Sequence, residues 1–473
     1  MNTVAKSPVS AQQPDILLIV CDQLRYDCIG SSRIRPVKTP HLDTMARGGL
    51  RFANAFTPQP LCCPARQSLL TSRRPERDGF LWNHDIALKT PSLMPGEKLW
   101  PRLLSEAGYR TAYAGKWHES ETCDPTAFGY DTYDGDAGYS AYKEELYGHM
   151  EYTGGIGGEI DPVATADSHT HWLARQASAR LLELAKSDGP WHLRVDFTEP
   201  HPPYRPTAGF ADMYDPDSIR AWDSFNENFT NKPYIQKQML YTWGIEDYGW
   251  ARWAPIVARY FACVSQLDDA VGHIMDALER CGRAGNTLVV LTTDHGDMCG
   301  AHRMIDKHNV LYDDIVHVPL LVKWPRLLRA DAEISAFVQN TLDIGPTLLE
   351  AAGLPAQSNS DGRSLFPLFG GDIPADWRDC AVSTYNGQQF GLYTQRMLRD
   401  NDWKYIWNTA DTDELYCLRE DPAELVNRAR DPLCAKTLEN MRRRLCDVLT
   451  KEGDGLLKSY WMRDQLQGVT KKL

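Results

Sequence analysis

Two adjacent cysteines precede a proline and an arginine in the segment Cys62-Cys63-Pro64-Ala65-Arg66. Proline is favoured in the first turn of a helix, and the residues that follow it here are typical of a helix. The segment therefore predicts that Cys62 lies just before a helix N-terminus, where the helix dipole and the free N–H groups favour an anion. Arg66 follows one turn later and would face the same point. We expect the two side chains to share one anion-binding site.

Polar side chains also follow four predicted strands, at the point where each strand ends. They are Asp22 and Gln23, Lys116 and His118, His201, and Asp294 and His295. In an open α/β sheet, ligands bind beyond the carboxyl ends of the strands. Charges scattered at random would not prefer one end of the strands. The occurrence of polar side chains after four strands therefore predicts an active site at this edge of the sheet.

Three of these side chains are suited to a divalent cation. Asp22 and Asp294 offer carboxylate oxygens and His295 offers an imidazole nitrogen, while Gln23 adds a neutral carbonyl oxygen. Ligands that are mostly oxygen favour a hard ion, calcium or magnesium, and the imidazole leaves manganese open. No cysteine pair at zinc spacing lies near them, which disfavours a structural zinc site.

The pattern that must position these residues is a short apolar strand, a polar loop and then a helix. Strands are predicted over 15–21, 110–114, 192–197, 287–292 and 318–323, and helices over about 173–184 and 254–280. Strands that alternate with helices favour a large, mostly parallel sheet sandwiched by helices, an α/β fold.

The texture of the sequence changes after about residue 370. Short strands are predicted over 382–385, 390–396 and 403–407, and a final helix over about 436–452. We therefore expect two domains: a catalytic α/β domain over residues 1–370 and a small C-terminal α+β subdomain with an antiparallel sheet over 371–473.

Composition excludes several classes of protein. The 473-residue chain carries 51 Lys and Arg against 63 Asp and Glu, a formal net charge of −12. A general nucleic-acid binder needs clustered Lys and Arg, so we expect no nucleic-acid partner. Hydrophobic residues at 42% and charged residues at 24% exclude a fibre or a mainly disordered chain. Twelve cysteines are too sparse for a disulfide scaffold.

The beginning of the chain shows no targeting segment. Residues 1–14 are polar and lack the apolar core of a signal peptide, and the apolar run over 16–21 is too short to cross a bilayer. We therefore expect a cytoplasmic protein with no membrane partner and with most cysteines reduced. The sequon Asn228-Phe229-Thr230 would then carry no glycan.

These ordered motifs resemble the sulfatase family of the alkaline phosphatase superfamily. The resemblance runs from Asp15 to about Lys307 and continues weakly over 415–422. It implies an alkaline phosphatase-like fold and the oxidation of Cys62 to formylglycine by a formylglycine-generating enzyme. Two positions depart from the family pattern: Ser72 replaces the usual glycine of Leu-Thr-Gly-Arg, and Gln23 stands where many members carry a second aspartate.

The resemblance also implies a role for each matching residue. The implied ligands of one divalent ion, calcium in the first place, are Asp22, Gln23, Cys62, Asp294 and His295. The implied catalytic residues are Cys62, Arg66, Lys116, His118, His201 and Lys307.

In the implied mechanism, the aldehyde hydrates to a diol, and the metal and Arg66 stabilise one of its oxygens as an oxyanion that attacks sulfur. Asp294 assists the deprotonation of that oxygen. Lys116, Lys307 and the cation neutralise charge on the sulfuryl group. Either His201 or Lys307 protonates the departing alcohol. His118 then takes a proton from the second hydroxyl, so that sulfate is expelled and the aldehyde returns.

The sequence leaves several functions open. The favoured one is hydrolysis of an aryl or carbohydrate sulfate ester, with a phosphonate monoester or phosphodiester as the alternative substrate. A non-catalytic relative with an unmodified Cys62, or a plain cysteine hydrolase, would be further alternatives. Aromatic residues near the motifs, such as Trp82 and Trp117, favour a sugar or aryl group, although most aromatic residues pack in the core. The oligomeric state is not encoded in any pattern that we find.

Overall fold

The computed structural model describes residues 13–84, 90–388 and 391–471. The strands of this part of the chain form two sheets. They are β1 (Asp15–Asp22), β2 (Leu50–Phe56), β3 (Arg110–Gly115), β4 (Thr132–Asp134), β5 (Trp191–Pro200), β6 (Thr287–Thr293), β7 (Leu320–Lys323), β8 (Ala332–Gln339), β9 (Ala381–Tyr385), β10 (Gln395–Arg399), β11 (Trp403–Asn408) and β12 (Glu414–Cys417).

The large sheet has the strand order β4-β3-β5-β1-β6-β7-β2-β8. Every strand in it runs in the same direction except β7, which is antiparallel to both of its neighbours, β6 and β2. The prediction of a mixed, mostly parallel sheet is therefore confirmed. Because β3, β5, β1 and β6 are consecutive and parallel, their carboxyl ends meet at one edge.

The helices cover both faces of the large sheet and one face of the small one. They are α1 (Pro40–Arg47), α2 (Cys62–Thr71), α3 (Pro75–Asp78), α4 (Trp100–Glu106), α5 (Ala137–Tyr147), α6 (His169–Leu184), α7 (Ala208–Ala211), α8 (Tyr234–Trp243), α9 (Trp250–Arg280), α10 (Asp313–Val316), α11 (Asn340–Ala351), α12 (Ala435–Glu452) and α13 (Tyr460–Leu466). None of the helices in the described ranges is long and apolar enough to cross a membrane.

Strand β1 shows how the sheet separates two cores. All of its residues are buried, as expected for a continuous apolar run in a parallel sheet. Leu17 and Ile19 pack into the core that contains α6 and α9, while Ile16 and Leu18 pack into the core that contains α4 and α11. Side chains alternate across a strand, so one apolar run serves both cores.

The C-terminal sheet is antiparallel, with the order β12-β11-β10-β9, and it packs against α12. The predicted strand over 390–396 begins too early. In the described part of that segment, residues 391–394 precede the strand, which begins at Gln395. Phe390 itself lies outside the described residues.

Candidate active site

Helix α2 places Cys62 beneath the strand ends. The helix begins at Cys62 itself, so the cysteine occupies the first turn rather than the position before it, and every residue of α2 is buried. The N–H of Cys63 donates to Asn83 Oδ1 at 2.9 Å. Cys62 Sγ lies 3.3 Å from His295 Nε2 and 4.0 Å from Asp22 Oδ1. The predicted nucleophile and two predicted metal ligands are therefore neighbours.

Arg66 joins three carboxylates and has no exposed side-chain surface. Its Nε donates to Asp294 Oδ2 at 2.9 Å, and its Nη2 donates to Asp22 Oδ2 at 3.2 Å. Its Nη1 donates to Asp196 Oδ2 at 2.5 Å. These carboxylates raise the pKa of the guanidinium although burial alone would lower it. Arg66 therefore fixes the relative positions of the ends of β1 and β6.

The donor atoms predicted for the metal converge. The ligand atoms of Asp22, Cys62, Asp294 and His295 all lie within 4.8 Å of one another, and all four residues are buried. His295 Nδ1 is 2.9 Å from the carbonyl of Gly296 and donates to it, so in the neutral ring that binds a metal Nε2 would be the nitrogen with the lone pair. A ligating histidine typically donates its other N–H to a carbonyl in this way, so the donor set fits a divalent ion.

The side-chain amide of Gln23 is engaged elsewhere. Its Nε2 donates to Asp297 Oδ2 at 2.8 Å and to Asp306 Oδ1 at 2.9 Å, and its Oε1 accepts from Lys307 Nζ at 2.8 Å. The predicted metal ligand Gln23 thus connects the end of β1 to the loop that carries Lys307. Gln23 Oε1, the oxygen predicted to bind the ion, is therefore the atom that accepts the hydrogen bond from Lys307.

Three of the other predicted catalytic residues line the same pocket. Lys116 pairs with Asp22, and its side chain is 17% exposed. Lys307 is almost fully buried, and its Nζ lies 2.9 Å from His201 Nε2. His201 Nδ1 lies 2.7 Å from the carbonyl of Pro202, so this nitrogen carries the proton and Nε2 accepts from Lys307.

His118 is half-buried at the end of the loop that follows β3. Its backbone N–H donates to Glu119 Oε2 at 2.9 Å, which fixes the main chain. Its Nδ1 is buried and has no hydrogen-bond partner among the described residues. A buried ring nitrogen without a partner is available to a ligand.

Electrostatics of the pocket favour an anion. Burial raises the pKa of the Cys62 thiol, but Lys307, Lys116 and His295 together lower it well below its usual range. Burial lowers the pKa of His295, but Asp294 and the thiolate of Cys62 raise it to about 9. Burial raises the pKa of Asp22, but it is lowered overall, chiefly by Lys116. The electrostatic potential at Cys62 Sγ is therefore positive, because the nearby cations outweigh the carboxylates there.

Sequence reasoning missed the support beneath the pocket. Asp196 lies within β5. Its Oδ2 accepts a hydrogen bond from Arg66 Nη1 at 2.5 Å, and its Oδ1 accepts one from Arg194 Nε at 2.7 Å. Arg194 also reaches Glu119 at 2.7 Å. The available signal was the alternation of Arg194 and Asp196 with the apolar residues Leu193, Val195 and Phe197. Such a pattern points to a paired charge on one buried face of the sheet.

Comparisons with known proteins show which family and which fold the chain is similar to. A sulfatase family model matches residues 14–354, and a model of the C-terminal part of N-sulphoglucosamine sulphohydrolase matches residues 300–451. The uncharacterised sulfatase YidJ of Escherichia coli is 26% identical over 475 residues, which cover 95% of this chain and 90% of that protein. The choline-sulfatase of Rhizobium meliloti is 29% identical over 449 residues, which cover 89% of this chain and 83% of that protein. The solved phosphonate monoester hydrolase of Agrobacterium radiobacter has a TM-score of 0.78 at 23% identity, covering 93% of this chain and 96% of that chain.

Proposed function

Because the chain belongs to the sulfatase family, we propose that it hydrolyses an aryl or carbohydrate sulfate ester and releases inorganic sulfate and the alcohol. The observation that carries the proposal is the convergence of Cys62, Asp22, Asp294 and His295 within 4.8 Å. Arg66 and Lys116 adjoin them. Such a site combines a nucleophile, a cation site and positive charge for a sulfuryl group.

The proposed ligands of the divalent ion are Asp22, Asp294, His295, the oxidised Cys62 and Gln23 Oε1, which would use the lone pair that does not accept from Lys307. Oxidation of Cys62 to formylglycine by a formylglycine-generating enzyme replaces sulfur with oxygen, which brings the donor set closer to the preference of calcium. Magnesium and manganese are the alternatives. The bound ion supplies Lewis acidity to the nucleophile and to the sulfate oxygens.

The side chains of the pocket have distinct proposed tasks. Lys116 and Lys307 neutralise the oxygens of the sulfuryl group, while Arg66 orients the carboxylates of Asp22 and Asp294. His118 is the proposed base for release of sulfate, because its buried Nδ1 has no partner in the described chain.

The proton for the departing alcohol is assigned to Lys307 rather than to His201. With Nδ1–H directed at Pro202, His201 presents only an acceptor nitrogen towards the pocket. Lys307 Nζ donates to that nitrogen and to Gln23 Oε1 and lies 3.2 Å from Asp306 Oδ1, so the ammonium must release one of these partners to donate to the alcohol. His201 therefore positions the acid, and we propose that it is not itself the donor.

The proposed boundary between the catalytic domain and the C-terminal subdomain stays at about residue 370. The large sheet ends with β8 before this point and the small sheet begins with β9 after it.

The deciding experiment combines mass spectrometry with two substrates. Protein from the native host, or protein co-expressed with a formylglycine-generating enzyme, should carry formylglycine at position 62 and should cleave an aryl sulfate faster than an aryl phosphonate. The Cys62→Ala variant should lose at least about 10⁴-fold in turnover, because the nucleophile is removed. The Cys63→Ala variant is the matched control on the same helix and should keep its turnover.

Two results would contradict the proposal. Unmodified Cys62 in native-host protein would leave a non-catalytic relative or a cysteine hydrolase as the better description. Phosphonate cleavage that exceeds sulfate cleavage by orders of magnitude would make the chain a phosphonate monoester hydrolase, the reading that Gln23 in place of a second aspartate favours.

A further inference from the structure

A cavity of about 190 Å³ lies beside His201, and neither Cys62 nor Arg66 is among its lining residues. It is bounded by α5, by the start of α6 and by the segment that follows β5. Its polar and aromatic wall includes Tyr139, Lys143, Tyr152, His169, His201 and Arg205. The volume is below that of a typical pocket for a whole ligand, so the cavity suits one end of a larger molecule.

Two cations of this wall, Lys143 and Arg205, lack an acidic partner. Neither has a carboxylate oxygen within 4 Å among the described residues, whereas ion pairs are frequent elsewhere in the chain. Both are held by the ring of Tyr152 instead: Arg205 Cζ lies 3.9 Å and Lys143 Nζ lies 5.0 Å from its centroid. Arg205 Nε is also buried without a hydrogen-bond partner in the described chain.

The acids of the same wall are already engaged. Glu199 Oε1 lies 2.9 Å from His169 Nδ1, and Asp136 lies 3.2 Å from the other nitrogen of that ring. Asp161 accepts from the hydroxyl of Tyr152 at 2.9 Å. Asp161 has no cation within 4 Å among the described residues, and Glu199 Oε2 is buried without a hydrogen-bond partner there. The lining nevertheless holds three basic side chains, Lys143, His169 and Arg205, against the two carboxylates Asp161 and Glu199.

The position of Arg205 is fixed by the chain beside it. Gly158 has a φ of +70°, and a Cβ at that position would lie 1.9 Å from the carbonyl oxygen of Tyr204. The loop that contains Gly158 therefore packs directly on the backbone preceding Arg205. Arg205 is thus presented from a packed segment rather than from a free loop tip.

We propose that this cavity binds a second anionic group of the substrate, a carboxylate or a further sulfate, carried by the alcohol part of the ester. The proposal rests on the sulfatase activity proposed above. His201 lies on the wall of the cavity and contacts Lys307, the proposed donor to the departing alcohol, at 2.9 Å. His201 therefore connects the cavity to the residue proposed to meet the alcohol oxygen.

A positively charged alcohol fits the cavity less well. An aromatic wall can bind an ammonium group through cation–π contacts, but Lys143 and Arg205 already occupy the neighbourhood of the Tyr152 ring. A substrate cation would add a third positive charge there. The specificity of the site therefore rests on attraction of an anion and repulsion of a cation.

The test uses calcium-loaded protein in which formylglycine has been confirmed, and it compares three substrates built on one sugar. The first carries only the scissile sulfate, the second adds another sulfate, and the third adds a carboxylate. Wild-type protein should show a kcat/KM about 10- to 100-fold higher for the better of the two anionic substrates than for the singly charged one.

The double variant Lys143→Met/Arg205→Met should lose most of that preference. The ratio is measured between substrates in the same sample, so a partly misfolded variant does not distort it. Lys186→Met, an exposed lysine just after α6 at the opposite end of the strands, is the matched control and should keep the wild-type ratio.

The outcomes separate the two proposals. If no sulfate ester in the panel is cleaved, the sulfatase activity is wrong. If the singly charged sugar sulfate is cleaved as well as both anionic substrates, or if the double variant keeps the wild-type preference, the anionic subsite is wrong while the sulfatase activity stands. Preference for the second sulfate or for the carboxylate identifies which anion the cations bind.

Discussion

Two of the groups of charged residues that the chain buries differ in how completely each charge is paired. We name the first the catalytic cluster: Asp22, Arg66, Lys116, Asp294 and Lys307. The second, the interface cluster, joins α10 and α8 to the C-terminal sheet and consists of Lys232, Asp313, Lys404 and Glu424.

In the interface cluster each ammonium group is surrounded by at least three oxygen atoms. Lys404 Nζ lies 2.5 Å from Asp313 Oδ1 and 2.7 Å from Glu424 Oε1, and it donates to the carbonyl of Leu311 at 3.2 Å. Lys232 Nζ donates to two tyrosine hydroxyls and to the carbonyl of Glu424. Both lysines are buried, so these protein oxygens enclose each ammonium and leave no open side for a ligand.

The catalytic cluster keeps unused donors. Lys116 pairs with Asp22, and no other hydrogen bond of its ammonium is found in the described ranges. His118 beside it has a buried ring nitrogen without a partner there. Both clusters thus bury charge. The catalytic cluster differs because its incompletely paired donors lie around one pocket, which can therefore accept an anion.

The largest expected effect falls on the interface cluster. Lys404→Met removes the cation that Asp313 and Glu424 share and leaves two buried carboxyl groups without it. We expect a loss of about 3–5 kcal/mol in the free energy of unfolding. Chemical denaturation measures it, and the turnover of the folded fraction should stay at the wild-type value. A large fall in that turnover at unchanged stability would remove the distinction between the clusters.

The converse change is Lys116→Met in the catalytic cluster. Asp22 keeps Arg66 at 3.2 Å, so the fold should survive with an apparent Tm close to that of the wild type. The kcat/KM for an aryl sulfate should fall about 10²–10³-fold, because a donor aimed at the sulfuryl oxygens is lost. Steady-state kinetics and thermal unfolding of one preparation measure both quantities. Unchanged kinetics with a lowered Tm would make Lys116 a structural residue.

The contrast between the clusters explains what the sequence could predict. The apolar runs that became β1 and β6 were recognisable, and they fix the places of Asp22 and Asp294. Strand β2 was missed because its burial pattern is irregular and it does not alternate cleanly. Strand β8 lies at the sheet edge and carries exposed Glu333, which weakened the signal further.

Pairing across the chain could not be predicted. The contact of Gln23 with Asp306 joins residues 283 positions apart, and the contact of Arg66 with Asp196 joins residues 130 apart. Motif spacing reports which side chains gather at a strand end, whereas partners of this kind depend on the complete fold. The cytoplasmic location stays a prediction for a different reason, since no contact within the chain bears on it.

A buried histidine outside both clusters shows the effect of burial without a charged partner. Burial lowers the pKa of His192 to about 3. The unfolded chain, with a pKa near 6.5, takes up the proton first as the pH falls, so the stability present above pH 6.5 is lost towards pH 3. The loss reaches about 2 kcal/mol at pH 5. His192→Gln should flatten unfolding free energy against pH in that window, whereas the exposed His273→Gln should not; an unaltered slope in the first variant would contradict the assignment.

The smallest expected effect lies at the far end of the helix that carries Cys62. Ser72 ends α2 with a φ of +54° in the left-handed region, the conformation that explains the glycine usual at this position in the family. Its Oγ is buried and has no hydrogen-bond partner in the described chain. Ser72→Gly relieves both costs and should raise the free energy of unfolding by about 1 kcal/mol, since the gain exceeds the added flexibility of the unfolded chain.

Ser68 provides the matched control for that substitution. It lies one turn earlier on α2, and its Oγ is likewise buried without a partner in the described residues, but its backbone is helical. Ser68→Gly should therefore lower the free energy of unfolding by about 1 kcal/mol, as glycine does within a helix. Opposite signs for the two variants, measured by chemical denaturation, would locate the strain in the backbone at Ser72. If both variants destabilise the protein alike, the left-handed turn carries no strain and the hydroxyl of Ser72 contributes to stability.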